Sequence, residues 1–469
     1  MNTPKSTRRD FLRTSGGILA AGAAAPYSWT SASSRAESPN DKLVVAAIGV
    51  GDRGSLIAQQ AAELDQVVAC CDVHRGNARR FADGMAKQGG RCKVYTDYRE
   101  LLAKEQGIDA VTIGTPDHWH VKIAIDALKA GKHIYCEKPL TLTLEEGTLI
   151  RAAVAKYGKI FQVGTQQRSD YDRVFLKAVA IARSGRLGKH LHAICSVGKA
   201  ASRTKATNAP FGPFPTQEPP AELNWDMWLG QAPAVPFCPK RINWSFRWWF
   251  EYSGGEVTDW VHHTDIAMWA LAGNDGQAVE AEAKSCKFMF VEREKVRDFL
   301  LGKVPAKDMP VAFNVAHEFD VDIKLSTGNT INLNSNPIEL LIMGDSGRIR
   351  VTRDQLNGKL TGKPVEDVDA DPKAQQEIEE LMAQIYGGSL PAEKLGHMRN
   401  FFDCVKRGKQ PVGNVGDHVR SVNANHLANI SMLLNRKVRW DIDKQQFIGD
   451  AEANMLVRRT QRAPYTIEV

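Results

Sequence analysis

The chain has 469 residues, of which 61 are basic and 54 acidic, for a formal charge of +7 at pH 7. Such a balance gives no reason to expect nucleic acid or an anionic membrane as partner, and no run after residue 36 is long and apolar enough to span a bilayer. The eight cysteines form no C-x-x-C pair and no regular spacing, which argues against a disulfide framework and against a zinc site.

Residues 1–36 read as an export signal. Thr7-Arg8-Arg9-Asp10-Phe11-Leu12-Arg13 is a paired-arginine start, Gly16 to Ala25 is a weakly apolar Ala/Gly-rich run, and Ser34-Arg35-Ala36 offers a small-residue cleavage site. The order resembles a twin-arginine signal peptide and implies a bacterial protein exported to the periplasm or beyond after folding. Its removal takes away five basic residues and one acid, leaving a charge of +3 and no membrane attachment. The roughly 430 residues that remain exceed what one core usually supports, so two domains are expected, 42–166 and 167–469.

The apolar run Leu43 to Ile48 predicts a strand, and Leu56, Ile57, Ala61 and Leu64 predict the helix after it. Between them stands Gly49-Val50-Gly51-Asp52-Arg53-Gly54, the tight turn a dinucleotide pyrophosphate needs, where small residues admit its oxygens to backbone N–H groups at a helix N-terminus. A second strand, Val67 to Cys71, ends in Asp72, about 20 residues past the glycines. There a carboxylate accepts both ribose hydroxyl protons and repels a 2′-phosphate, so NAD is expected rather than NADP. Arg75, Arg79 and Arg80 read as the solvated face of the next helix.

Ala110 to Gly114, His133 to Cys136 and Ile160 to Gly164 are further strands, with a helix over Val121 to Leu128, and the alternation predicts a parallel sheet covered on both faces. Loops at the carboxyl ends of such strands line the ligand crevice. That places Thr115, Pro116, Asp117, His118 and His120, then Glu137-Lys138-Pro139, and then Gln166, Gln167 and Arg168 beside the glycine turn. After Gln166 the pattern changes. Residues 203–240 are proline-rich, Val257 to Leu271 reads as one helix, and 279–290 and 311–335 alternate with period two, as a half-exposed antiparallel sheet does. Residues 353–390 read as a loop or short surface helix, and His397 to Lys406 and His418 to Leu434 as amphipathic helices.

Two acids and two histidines, Asp259, His262, His263 and Asp265, fall within seven residues near the start of that predicted helix. With no H-E-x-x-H pattern, acid–base work suits them better than metal binding, and no metal site is assigned. Six of the nine residues from Trp244 to Tyr252 are aromatic, most of them core material, but Arg247 and Trp248 are candidates for a substrate wall, as is Tyr171.

Together these segments resemble the Gfo/Idh/MocA oxidoreductase family, through Gly49 to Gly54, Thr115-Pro116 with His120, Glu137-Lys138-Pro139, the Gly-Asp-His cluster and His397-Met398-Arg399-Asn400-Phe401. The resemblance implies a Rossmann domain followed by an α+β domain with an open-faced, mainly antiparallel sheet that often forms a homo-oligomer interface. It also implies Lys138 as the catalytic lysine, with Asp259 and either His262 or His263 beside it. The family pattern Asp-x-Gly-x-His-x-x-Asp is one residue shorter here and lacks its glycine. Counting forward from Asp259 selects His263, whereas counting back from Asp265 selects His262, the preferred reading. The expected function is hydride transfer at a sugar or cyclitol hydroxyl by an exported enzyme that retains its NAD. The alternative is an NAD-dependent glycosidase acting through a transient 3-keto sugar, with His262 or Tyr171 as base.

Overall fold

Strand β1 (Val44–Ile48) sends alternate side chains to opposite faces, and each face finds a core: Ala46 and Ile48 join one buried cluster, Val45 and Ala47 another. In the computed structural model, which describes residues 42–199, 211–392 and 394–469, β1 is the centre of a six-stranded parallel sheet. The expected export signal lies outside the described residues. The sheet has the order β3-β2-β1-β4-β5-β6, with β2 Gln66–Cys71, β3 Lys93–Tyr95, β4 Ala110–Ile113, β5 His133–Cys136 and β6 Phe161–Val163. Helices α1 (Asp52–Ala62), α2 (Arg75–Lys87), α3 (Tyr98–Lys104), α4 (His120–Lys129) and α5 (Leu144–Tyr157) connect the strands. The chain reverses its winding between β1 and β4, and that switch point opens a crevice at the carboxyl ends of the strands.

After α6 (Val174–Arg183) comes a ten-stranded sheet of order β14-β13-β12-β11-β7-β10-β9-β8-β15-β16. Its strands are β7 His192–Ser196, β8 Ala278–Phe288, β9 Ala316–Leu325, β10 Thr330–Asn334, β11 Glu339–Gly344, β12 Gly347–Val351, β13 Leu356–Leu360, β14 Lys363–Pro364, β15 Val438–Asp441 and β16 Gln446–Phe447. Only β7 and β10 pair in parallel; the other pairings are antiparallel. In β9, Phe319, Val321 and Ile323 are buried while Asp322 and Lys324 are exposed, so one face is packed and the other open.

The two sheets share their later helices. Met398, Phe401 and Phe402 of α10 (Gly396–Arg407) complete one core of the parallel sheet. Helix α11 (Val415–Leu434) gives Val415 and Val419 to its other core and Ala424, Leu427 and Ala428 to the core of the larger sheet. Residues 42–469 accordingly form one compact unit.

Two expectations need correction. The single helix Val257–Leu271 is broken at Trp260 (φ −97°, ψ 31°) into α7 (Glu256–Asp259) and α8 (Val261–Leu271). The stretch 353–390 is not a loop with at most a short helix, since it contains β13, β14 and the 14-residue α9 (Pro372–Ile385). Proline at its first turn is pre-set for the helix, Asp371 Oδ1 caps the Lys373 and Ala374 amides at 3.0 and 3.4 Å, and Ile378 and Met382 bury one stripe.

At the switch point Gly49 has φ +76°, and a Cβ on Gly54 would lie 1.8 Å from the Gly49 carbonyl oxygen. Backbone cannot yield there, so Gly54→Ala is expected to cost at least about 2 kcal/mol, read as a lower denaturation midpoint, and to weaken NADH binding in a fluorescence titration.

Candidate active site

A cavity of about 590 Å³ runs from the end of β2 across the glycine turn to the break between α7 and α8 and the turn between β12 and β13. Its first end is the nucleotide crevice. Gly49, Gly51, Asp52 and Arg53 line it, with Gly51 at the N-cap of α1 making no side-chain cap, so the helix amides face a backbone cradle. Asp72 lines it too, its Oδ2 accepting the Val50 amide at 3.0 Å and its Oδ1 the His74 amide at 2.8 Å. Burial pushes its pKa up, against the pull of those amides. Arg80, expected on a solvated face, also lines this end beside Asn77. A cradle that admits no Cβ at Gly54, with an acid at the end of β2, fits a dinucleotide.

The two sequence motifs are tied by charge. Arg53 Nε lies 2.9 Å from Glu137 Oε1, which also accepts Gln166 Nε2 at 2.8 Å. Lys138, next along, reaches out of the parallel sheet to the other half of the molecule. Its Nζ donates to Asp259 Oδ1 at 2.9 Å and to the Asp259 carbonyl at 2.7 Å. Arg247 Nε donates to the same Oδ1 at 2.8 Å, and its guanidinium lies 4.0 Å from the exposed Trp244 ring. Burial would lower the Arg247 pKa, but Asp259 and Asp117 hold it above its ordinary value.

The break at Trp260 sends the two histidines in different directions. His262 lines the cavity, whereas His263 turns away and its Nδ1 lies 3.1 Å from the Ser196 carbonyl. Burial, then the positive charges of Lys138 and Arg353, hold His262 well below the usual histidine range. Its Nδ1 is buried without a hydrogen-bond partner among the described residues, so an imidazolium would carry an unsatisfied N–H. His262 is therefore neutral at pH 7.

Asp117 is a further carboxyl that lines the cavity. Its Oδ2 accepts the Ser253 hydroxyl at 2.6 Å, and burial pushes its pKa up to about 7. Tyr171 and Gln166 line the same space, as do Trp260 and Arg353, for which no sequence signal stood out.

Several expected site residues lie elsewhere. His118 and His120 do not line the cavity. His118 Nε2 meets the Trp228 carbonyl at 3.0 Å, with its ring against Trp228 and Tyr252, and burial lowers its pKa to about 3. His120 places its ring nitrogens 2.7 and 2.9 Å from the carbonyls of Pro139 and Thr115, clamping together two loops whose Thr115, Pro116 and Lys138 do face the cavity. Gly54 serves close packing and not the wall. Arg168, expected on the substrate wall, is buried, with Nε and Nη2 on Asp265 at 2.7 and 2.8 Å, Nη1 on Asp417 at 3.0 Å and its guanidinium 4.6 Å from the Trp269 ring. Gln167 and Trp248 are buried outside the cavity, the latter edge-on to Phe313.

With this geometry in place, the relatives are informative. Residues 43–165 match the oxidoreductase family described as an NAD-binding Rossmann fold, and 181–288 with 372–467 match its C-terminal alpha/beta domain. The chain belongs to this Gfo/Idh/MocA oxidoreductase family. It is 32% identical over 206 residues to an alpha-N-acetylgalactosaminidase of Shewanella oneidensis, covering 39% of this chain and 44% of that one. A glycosyl hydrolase family 109 protein of a Shewanella species is 35% identical over 162 residues, covering 33% and 35% of the two chains. The chain thus spans less than half the length of the curated relatives it matches. Its fold is similar to that of the WlbA dehydrogenase of Chromobacterium violaceum in complex with NADH and UDP-GlcNAcA, with TM-score 0.56, 17% identity and coverage of 86% and 97%. The aldose-aldose oxidoreductase of Caulobacter crescentus, complexed with glycerol, gives TM-score 0.56 at 17% identity, covering 85% and 99%.

Arg168 holds two carboxylates where little water reaches. Replacing it with methionine strands Asp265, and Arg168→Met is expected to lose about 3–5 kcal/mol in denaturant unfolding.

Proposed function

We propose that the cavity holds NAD and a sugar or cyclitol side by side, and that the protein transfers hydride at one carbinol of that substrate. The observation that carries this is the convergence of Lys138, Asp259 and His262 on the same cavity as the glycine turn. The glycine turn and α1 amides take the pyrophosphate, and Asp72 accepts the ribose hydroxyls, which favours NAD over NADP. The dinucleotide supplies the hydride acceptor and donor. His262, neutral, removes the carbinol proton. The Lys138 ammonium, held by Asp259, donates a hydrogen bond to the alkoxide that develops. Arg247, on the same carboxylate, keeps Asp259 from taking the proton back. Trp244 offers an exposed face for a sugar ring at the mouth.

The glycosidase reading is favoured by one particular observation, the names of the curated relatives. A carbonyl at C3 acidifies the C2 hydrogen, so His262 or Tyr171 removes it, and protonated Asp117 supplies a proton to the departing group. Export through a twin-arginine signal supports either reading only with a cofactor loaded before translocation and recycled in place. Protein purified from the exported fraction and given no NAD should release nitrophenol from nitrophenyl α-N-acetylgalactosaminide without accumulating NADH if it is a glycosidase. Net NADH formation from added NAD and a free sugar marks a dehydrogenase. Lys138→Ala should lower kcat by about two or more orders of magnitude in whichever assay responds.

The cavity acids also set a pH profile. The pKa of His262 is depressed, so its protonation should not limit kcat/KM until below pH 6.5. Asp117 titrates near 7, so wild-type protein should show an inflection there that Asp117→Asn abolishes.

A further inference from the structure

Arg353 sits on the turn between β12 and β13, where Thr352 closes the hairpin by donating its amide to the Gln355 carbonyl at 2.9 Å. The turn is short and bonded to itself, which gives the side chain a fixed root. The guanidinium carbon lies 5.0 Å from the Tyr171 ring centroid and 5.1 Å from that of Trp260. All three line the cavity beside His262, whose pKa the Arg353 charge helps to depress. Two aromatic faces restrict a side chain that would otherwise sample many rotamers in water.

Among the described residues at the end of the cavity beside His262, Arg353 is left without a carboxylate partner. Arg53 is paired with Glu137, and Lys138 and Arg247 share Asp259. Arg353 has no carboxylate within salt-bridge distance among the described residues, and its neighbour Asp354 bonds through its own amide to Thr352. The charges acting on His262 are those of Lys138, Arg353 and Arg53 against Asp259, and of these cations Arg353, an exposed side chain on the cavity wall, is the one without a carboxylate partner among the described residues. A neutral sugar makes no use of that guanidinium. An anionic one matches it, and a planar guanidinium binds a carboxylate or a sulfate or phosphate ester through two parallel N–H donors.

We propose that Arg353 is a substrate-selecting residue, and that the sugar taken by this site carries an anionic substituent, a carboxylate or an acidic ester, which Arg353, placed beside Tyr171 and Trp260, holds while the carbinol faces Lys138 and His262. This rests on the sugar-binding reading of the cavity and narrows its substrate class. It does not depend on which reaction follows.

The test is equilibrium binding to the NADH-loaded protein, followed by calorimetry and by Trp260 fluorescence. The probes are D-glucuronate and D-galacturonate, their methyl esters, and the 6-sulfates and 6-phosphates of glucose and galactose with the parent sugars. At least one acid should bind about tenfold or more tighter than its neutral counterpart, and that arm separates carboxylate from ester recognition. Arg353→Gln should bring each acid to the affinity of its neutral counterpart, and Arg353→Lys should restore part of the preference. Acids that bind no better than their neutral counterparts, or a preference that survives in Arg353→Gln, overturn the proposal. Lys138→Ala should keep the acid preference and lose turnover. Acid preference without turnover in the wild type would sink the reaction assigned above and leave this inference standing.

Discussion

The structure turns on one carboxylate. Asp259 has 4% of its side chain exposed and accepts Lys138 from the parallel sheet and Arg247 from the aromatic segment on a single oxygen. Alone, a carboxylate so buried would be costly, and each cation would be costly too. Brought together they are tolerable only in this arrangement, so the charge set fixes how the end of β5 faces the start of α8. The Asp259 carbonyl, just before the break at Trp260, adds a second acceptor for Lys138. The same break turns His262 toward the cavity and sends His263 to the β7 backbone. One interaction thus sets lysine, arginine and histidine in register.

Around it stand two further charge sets with different work. Arg53–Glu137–Gln166 joins the glycine turn to the ends of β5 and β6, holding the nucleotide crevice and the lysine loop in one geometry. Arg168–Asp265–Asp417 anchors α8 to α11 from beneath and never reaches the cavity. All three are composed of arginine or lysine with carboxylates, and sequence spacing does not tell them apart. What separates them is whether the side chains meet the cavity wall, and that is set by helix packing.

This explains what could be read in advance. Five strands of the parallel sheet were legible because each is a short apolar run followed by a glycine or an acid, and because doubly wound sheets put functional loops at one end, whereas the edge strand β3, Lys93–Tyr95, is exposed and carried no such signal. Lys138, Asp259, His262, Arg247 and Tyr171 were reachable by that logic, and all line the cavity. His118 and His120 were placed on the right loop but point inward, because a loop position does not fix a side chain's direction. Arg168 and Trp248 were misplaced for the same reason. Arg353 and Trp260 carried no signal at all. Arg353 lies in a charged stretch that hid β13 and α9, and it enters the site only because the larger sheet folds its β12–β13 turn over the cavity.

The later chain also explains why neither sheet can be treated as a separate module. Helix α11 puts its first turns into one core and its remainder into another, and α10 closes the outer layer of the nucleotide-binding sheet. Separating the parallel sheet would expose Phe401, Phe402, Val415 and Val419 together with the strands they cover. The nucleotide crevice and the substrate wall therefore belong to one packed body, and their relative position is held by buried apolar contact as well as by Asp259. That rigidity suits the hydride transfer proposed above, in which the same few groups would meet a carbinol and then its ketone without a change of partners. A neutral His262, a fixed Lys138 and a protonatable Asp117 at three points of one cavity can serve removal and return of a proton in either direction.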